Sequence, residues 1–190
     1  FLATVFQFNS FPGISYLNSL MSVSPVRPGL FLSGLDSALS GSVLSSRNIT
    51  LVINASGWEG VAYPHLDGLQ VFHVPVQDRP HAPLRDYFEP VAEQINQNHT
   101  GATLVHCEAG RSRSPTLLMA YLMRSEGLNL REAYKVVLES RQFVRPNAGF
   151  WLQLIDYEKN LFNRTTVGMV RTPAGILPEL QADPDTAAAH

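Results

Sequence analysis

The stretch His106-Cys107-Glu108-Ala109-Gly110-Arg111-Ser112-Arg113-Ser114 places a thiol, an imidazole, two guanidinium groups and two hydroxyls within nine residues. Cys107 is the only cysteine of the chain, so an intramolecular disulfide is impossible. A lone cysteine is either a small core residue or a reactive thiol, and its neighbours decide which. Here they favour the thiol. The segment lies between an apolar β-type run and an apolar helical run, and such a junction aims backbone N–H groups and the positive helix end into one small space. A tetrahedral dianion such as phosphate fits that space. Gly110 lets the backbone turn tightly towards the anion. Thiolate at Cys107 is favoured by the same N–H groups and by Arg113, and sulfur aimed at a bound phosphoryl group can attack in line.

Arg113 follows Cys107 by six positions, and its planar fork can take two phosphoryl oxygens at once. Phosphoryl transfer depends mostly on positioning and charge stabilisation, which suits this pairing. The Ser114 hydroxyl can hydrogen-bond the Cys107 sulfur, or act as the helix N-cap, or do both. His106 either orients the start of the loop and biases the thiolate, or is a satisfied core histidine. Arg111 and Ser112 line the rim or support the loop backbone, with a solvated arginine as the plainer reading of Arg111. The candidate phosphate-binding set is Glu108, Ala109, Gly110, Arg111, Ser112 and Arg113.

The elements that must position this loop are legible from apolar period and breakers. Strands are expected at 29–34, 50–55, 69–76 and 102–106. Helices are expected at Asp36–Ser46 with Asp36 as cap, and at 85–98, where Phe88, Val91, Ala92 and Ile95 fall at helical spacing. Further helices are expected at 114–125, with Pro115 in the first turn, at 130–140 after Gly127, and at 147–162. Strands alternating with helices, followed by closing helices, predict an α/β fold with a central, mostly parallel sheet flanked by helices. Residues 163–190 read as a tail with Pro173, Pro178 and Pro184, and residues 1–24 as a loosely structured apolar lead-in.

The 190 residues suit one domain with a real core. Apolar residues make up 45% and charged residues 16%, a globular composition. The formal net charge of −2 gives no bulk attraction to nucleic acid or an anionic membrane, so any phosphate affinity must be local. No apolar run is long enough for a transmembrane helix. The six histidines show no ligand-spaced cluster, so no metal is expected. The chain opens on Phe1, which suggests a processed form or a fragment, and its Ala-rich end resembles an expression scar. Asn-x-Ser/Thr triplets begin at Asn48, Asn54, Asn98 and Asn163. They read as coincidence, because Asn54 sits in an expected buried strand.

The motif HCEAGRSRS matches Cys-x5-Arg-Ser/Thr, the signature of the protein tyrosine phosphatase superfamily, and its flanking residues resemble the dual-specificity phosphatases. The segments VINAS (52–56), VPVQDRP (74–80), AYLM (120–123) and RPNAGFWLQLIDYE (145–158) resemble the same family, so the likeness runs from about Gly29 to Phe162. The tail around TVGMVRTPAGILPEL (166–180) is similar to an extension in a small atypical subgroup that consists of a catalytic domain alone. The resemblance implies a protein tyrosine phosphatase-like fold. It also implies a catalytic domain at 25–163 between the lead-in 1–24 and a C-terminal extension 164–190.

The resemblance makes Asp78, 29 positions before Cys107, the general acid for the leaving oxygen and the base for water afterwards. A turn-capping Asp beside Pro80 is the plainer alternative, and Asp86 is a weaker rival better suited to starting the next helix. Asn147 is implied to hold the phosphate loop, or else is an ordinary N-cap. No inserted loop of the kind that deepens the slot in tyrosine-specific members is present, so a shallow pocket open to phosphotyrosine, phosphoserine and phosphothreonine is expected. Glu108 beside the pocket should repel polyphosphorylated inositol headgroups. The expected function is a metal-independent protein phosphatase with a phospho-cysteine intermediate and no cofactor. The alternatives are a phosphatase for RNA ends, lipids or glycans, and a phosphate-recognition module without turnover. Expected partners are phosphorylated proteins, with MAP kinases and their regulators as family candidates, and neither nucleic acid nor an integral membrane segment. A working thiolate suits a reducing compartment, so cytoplasm is expected, with nucleus and mitochondria as further sites for the subgroup.

Overall fold

The computed structural model describes residues 22–181. Its centre is β5 (Ala102–His106), in which every residue is buried, as a strand covered on both faces requires. Parallel neighbours flank it: β2 (Leu30–Ser33) on one side and β3 (Ile49–Asn54) on the other, with β4 (Gln70–His73) beyond β3. β1 (Ser24–Arg27) closes the far edge, antiparallel to β2, giving the order β1-β2-β5-β3-β4. This is the expected α/β sheet, parallel except at one edge.

Alternation along the strands divides the core in two. Leu51, Ile53 and Val105 face the larger cluster, packed by helices α3 (Phe88–Gln97), α4 (Arg113–Glu126), α5 (Leu130–Ser140) and α6 (Ala148–Phe162). Val52, Ala102 and Leu104 face a smaller one, with Ala38 and Leu44 from the short helices α1 (Leu35–Ala38) and α2 (Gly41–Ser46). α4 is buried over most of its length and packs against the three other large helices. Its end is set by Gly127 at φ 70°, where Gly127 N and Leu128 N return to Met123 O and Leu122 O. α5 starts with a reciprocal capping box: Asn129 Oδ1 accepts from Glu132 N, and Glu132 Oε2 accepts from Asn129 N.

Four expectations need correction. The span Asp36–Ser46 is two helices, because the Ser40 hydroxyl accepts from Val43 N and starts a second one; Gly34 occupies the first N-cap, and Asp36 lies inside the first turn. The strand expected at 69–76 pairs only over Gln70–His73, although Val74 N still reaches Asn54 O before Pro75 interrupts. The helix expected at 85–98 begins as a 3-10 turn, Leu84–Tyr87, and becomes α-helical at Phe88. The reading of 163–190 as a tail fails over about half of its length: β6 (Val167–Thr172) and β7 (Gly175–Leu180) form an antiparallel hairpin that includes Pro178 opposite Met169. The remainder of the expected tail, 182–190, and residues 1–21 of the expected lead-in lie outside the described residues, while Ser24 already belongs to β1. Asn54 is 2% exposed, with its side chain bonded to Ser56 and Trp58. Among the described residues no helix is long and apolar enough to cross a membrane.

The hairpin is fastened through one buried carboxylate. Glu158, fully buried on α6, accepts from Leu130 N at the start of α5 and from Thr166 N and Oγ1 at the root of β6. Arg131 N donates to Thr166 Oγ1, and Gln181 N closes the other strand on Thr166 O. Replacing Glu158 with Ala strips the acceptor from three buried donors, each worth about 1–3 kcal/mol when left unsatisfied. Urea unfolding should therefore show Glu158→Ala losing at least about 3 kcal/mol, with Glu158→Gln losing less. A loss below about 1 kcal/mol would show that the carboxylate is not the fastening.

Candidate active site

The loop 107–112 joins the buried end of β5 to the first turn of α4. Each of its carbonyls is engaged on the outside. Cys107 O accepts from His106 Nδ1 at 3.0 Å, Glu108 O from Leu35 N at 2.9 Å, and Ala109 O and Gly110 O from the Arg141 guanidinium at 3.2 and 2.9 Å. Arg111 O accepts from Arg145 N at 2.7 Å, and Ser112 O from Thr116 N and Oγ1. In a planar trans peptide, C=O and the following N–H point opposite ways. A loop with its carbonyls turned out therefore turns the N–H groups of residues 108–113 in. Gly110 sits at φ 66°, and a Cβ there would approach the Ser33 carbonyl to 2.8 Å, so both conformation and space require glycine.

The inward side holds Cys107. Its sulfur accepts from Gly110 N at 3.2 Å and from Ser114 Oγ at 3.1 Å, and the residue is 3% exposed. Arg113 lies beside it, nearly as buried. Its Nη1 donates to Ser56 O at 2.6 Å and Val76 O at 3.3 Å, which fixes the guanidinium plane against the ends of the β3 and β4 segments. Its Nη2 is 3.8 Å from the exposed Glu108 carboxylate. Its Nε is buried with no protein partner. Buried donors are rarely left orphaned, so this one is available to an anion in the loop.

His106 is fully buried, and its tautomer follows from its partners. Nδ1 must donate to the Cys107 carbonyl, so Nε2 accepts from the Tyr63 hydroxyl at 2.6 Å. Burial pushes the imidazole down to about 4, outweighing the hydrogen bond to Cys107 O, which acts the other way. The same burial pushes the Tyr63 phenol up. A neutral, doubly bonded His106 orients the first peptide of the loop and adds no charge beside the thiol.

Asp78 hangs over the loop on the segment after β4. Its Oδ1 accepts from Ser112 Oγ at 2.8 Å and from Asn147 Nδ2 at 2.9 Å. Asn147 also donates its backbone N–H to Ser112 Oγ and caps α6 by accepting from Phe150 N. One Asn thus ties the acidic loop, the phosphate loop and a helix start together. Gly149 keeps this contact close, since a Cβ there would collide with the Pro80 carbonyl.

The chemistry so assembled is an anion cradle with a sulfur at its base and a carboxyl group at its rim. The dual specificity phosphatase catalytic-domain model matches residues 30–160. The dual specificity protein phosphatase 14 of Mus musculus is 46% identical over 162 residues, 83% of this chain and 80% of that protein. The dual specificity protein phosphatase 21 of Homo sapiens is 39% identical over 180 residues, 94% of this chain and 93% of that one. The crystal structure of human DUSP28 aligns with TM-score 0.68 at 36% identity, covering 73% of this chain and 94% of that one. The chain belongs to the dual-specificity phosphatase family. It is a small protein phosphatase with the tyrosine phosphatase-like fold, acting on phosphorylated proteins.

In the structure the expected site residues lie on neighbouring segments: Ser114 Oγ reaches the Cys107 sulfur, Arg113 precedes Ser114 in the first turn of α4, and Asp78 and Asn147 are joined to each other and to Ser112. The capping alternative for Ser114 is corrected, because Ser112 holds the N-cap and Ser114 lies within α4 with its hydroxyl on the sulfur. Asn147 meets both of its alternatives, cap and loop support. Asp86 is removed from the loop, in the 3-10 turn. Two residues escaped sequence reading. Tyr63 stands in an irregular loop with no pattern around it. Arg141, fully buried, turns its Nε and Nη2 to two loop carbonyls and its Nη1 to Ser22 O and Ser24 Oγ, while burial lowers it to about 10. An arginine just past a helix end gives no local sign of that role. Among the described residues, no three His, Cys, Asp or Glu side chains are grouped to hold a metal ion.

Burying His106 neutral links stability to pH. Unfolded, it takes a proton near 6.5; folded, only at about 4. Between these values the unfolded state holds more protons, so stability is fully present above 6.5 and falls as pH drops towards 4, by up to about 3 kcal/mol. Denaturant titrations across that window should show this slope in wild type and a flattened one in His106→Asn. Equal slopes in both would assign the acid sensitivity elsewhere.

Proposed function

We propose that Cys107 is the nucleophile of a two-step phosphoryl transfer from phosphotyrosine, phosphoserine and phosphothreonine side chains. The observation that carries this is the convergence on one sulfur of Gly110 N, Ser114 Oγ and the inward N–H ring, beside a buried Arg113 Nε without a partner. In the first step the Cys107 thiolate forms a bond to phosphorus and the bond to the substrate oxygen breaks. The N–H groups of residues 108–113 and the Arg113 fork hold the phosphoryl oxygens. Asp78 gives its proton to the departing oxygen. Its Oδ1 is occupied by Ser112 and Asn147, so Oδ2 carries that proton.

In the second step the Asp78 carboxylate takes a proton from water, the water oxygen bonds to phosphorus, and the S–P bond breaks. Ser114 Oγ, 3.1 Å from sulfur, stabilises the leaving thiolate. The cycle uses no metal or cofactor. His106, Tyr63 and Arg141 act as positioning residues, holding the loop's first and middle peptides. The catalytic domain is read as 25–163. The family resemblance supports MAP kinases and their regulators as substrates, and the thiolate chemistry supports the cytoplasm, with nucleus and mitochondria as further locations.

The test is hydrolysis of p-nitrophenyl phosphate and of phosphotyrosine and phosphothreonine peptides with chelator present. Wild type should release phosphate from all three, and Cys107→Ser from none. Asp78→Asn should lower kcat by about 10²-fold on the peptides and less on the nitrophenyl ester, whose leaving group needs less protonation. Tight phosphopeptide binding without turnover by wild type would make the chain a recognition module instead.

A further inference from the structure

A groove of about 710 Å³ opens directly beside the phosphate loop. One wall carries Arg111, a loop residue, and Arg145, whose backbone N–H is bonded to the Arg111 carbonyl at 2.7 Å. Asn147, which holds Asp78, lines the same wall, so the groove begins at the mouth of the site. Its floor is aromatic: Trp151 and Tyr134 meet edge to face, with centroids 4.9 Å apart. The far wall is the C-terminal hairpin, at Ile176 and Pro178. Ile176 is 51% exposed, a large apolar side chain left open to solvent at the groove.

The two arginines are unengaged. Ion pairs among the described residues involve Arg27, Arg85, Arg113 and Arg124, and neither the Arg111 nor the Arg145 side chain makes a hydrogen bond or ion pair there. In a chain of net charge −2, two unpaired arginines lining one groove make a local patch of opposite sign. The patch differs from the phosphate cradle. The nearby backbone donors are already used, Arg145 N on Arg111 O and Asn147 N on Ser112 Oγ. No ring of N–H groups remains for a second phosphoryl dianion. What remains is two planar forks followed by an apolar trough; such forks take a carboxylate or a phosphate, and in an otherwise unmodified substrate segment the carboxylate of Asp or Glu is the anion on offer.

We propose that this groove reads the substrate's sequence: it takes the segment flanking the phosphorylated residue, with an Asp or Glu on Arg111 and Arg145 and a bulky apolar side chain between Trp151 and Ile176. This rests on the phosphatase reading above. It makes the hairpin the far wall of the specificity site and Arg145 and Ile176 its specificity-determining residues.

The test uses the full chain and four phosphotyrosine peptides. Two carry a Glu and a Leu beside the phosphotyrosine, on its N-terminal or its C-terminal side. A third has both positions as Ala, and a fourth has a phosphoserine in place of the Glu. Wild type should favour one of the Glu/Leu peptides over the Ala peptide by about tenfold in kcat/KM. Arg145→Glu and Ile176→Asp should each abolish that preference, with Arg145→Lys keeping part of it. Turnover of p-nitrophenyl phosphate should stay within about twofold in Ile176→Asp, since that ester does not reach the groove, and the Arg145 variants are read by the ratio of Glu/Leu to Ala peptide turnover, which a general charge effect at the mouth leaves unchanged. Equal rates on the Glu/Leu and Ala peptides, a parallel fall on every substrate, or dependence on Arg145 only with the phosphoserine peptide would each overturn the proposal. Failure of wild type to hydrolyse p-nitrophenyl phosphate would overturn the phosphatase reading itself, and this one with it.

Discussion

Everything at the site depends on where the phosphate loop's carbonyls go. Six successive backbone acceptors need partners, and if any turned inward to find one it would point negative charge at the sulfur and at an incoming phosphoryl group. The fold supplies outward donors from four places in the chain: His106 at the end of β5, Leu35 at the start of α1, Arg141 past α5, and Arg145 before α6. Thr116 within α4 closes the series. The inward N–H ring is the other side of that arrangement, because planar peptides cannot turn one group out without turning the next one in. A loop with this much charge and so little side-chain bulk would not hold such a shape unaided.

This explains the burial of Arg141. A guanidinium in the interior is expensive unless its donors are used. Here Nε and Nη2 are spent on the two carbonyls at the loop's sharpest turn, and Nη1 on the chain entering β1. The face of the guanidinium stacks on Phe143, 4.4 Å from the ring centroid. One residue thus ties the loop's turn to the start of β1.

Legibility in the sequence followed the range of the interaction. β5, α5 and the loop between β5 and α4 are readable because their signals are local: a short apolar run, a glycine breaker at Gly127 ahead of the helix, a Cys-x5-Arg spacing. Asp36–Ser46 was misread because the apolar period runs through Ser40, and only the hydroxyl bonded to Val43 N shows that the helix restarts there. The hairpin was missed because Pro178 and the half-exposed pattern of β7 argue against a strand, while what holds it is Glu158, on a different helix. Arg141 and Tyr63 were unreadable for the same reason. Their partners lie about 30 and 40 residues away, and neither has a neighbour that hints at a polar role. For Asp78, spacing alone identified nothing; only the likeness of VPVQDRP to the family's acid-bearing segment singled it out.

The hairpin and the acid loop share a mechanical logic. Each is held to α6 or its cap: the hairpin through Glu158 near the helix end, the acid loop through Asn147 at its start and Gly149 in its first turn. α6 packs in turn on α4, whose first turn carries Arg113 and Ser114. The phosphate loop, the acid and the wall of the adjoining groove are thus referenced to one pair of packed helices. Packing of this pair holds the sulfur and the acid in place while the rim side chains of Arg111 and Arg145 stay free to meet different substrates. Such a division puts precision where phosphorus must be aligned with sulfur, and leaves adaptability to the surface that reads the surrounding chain.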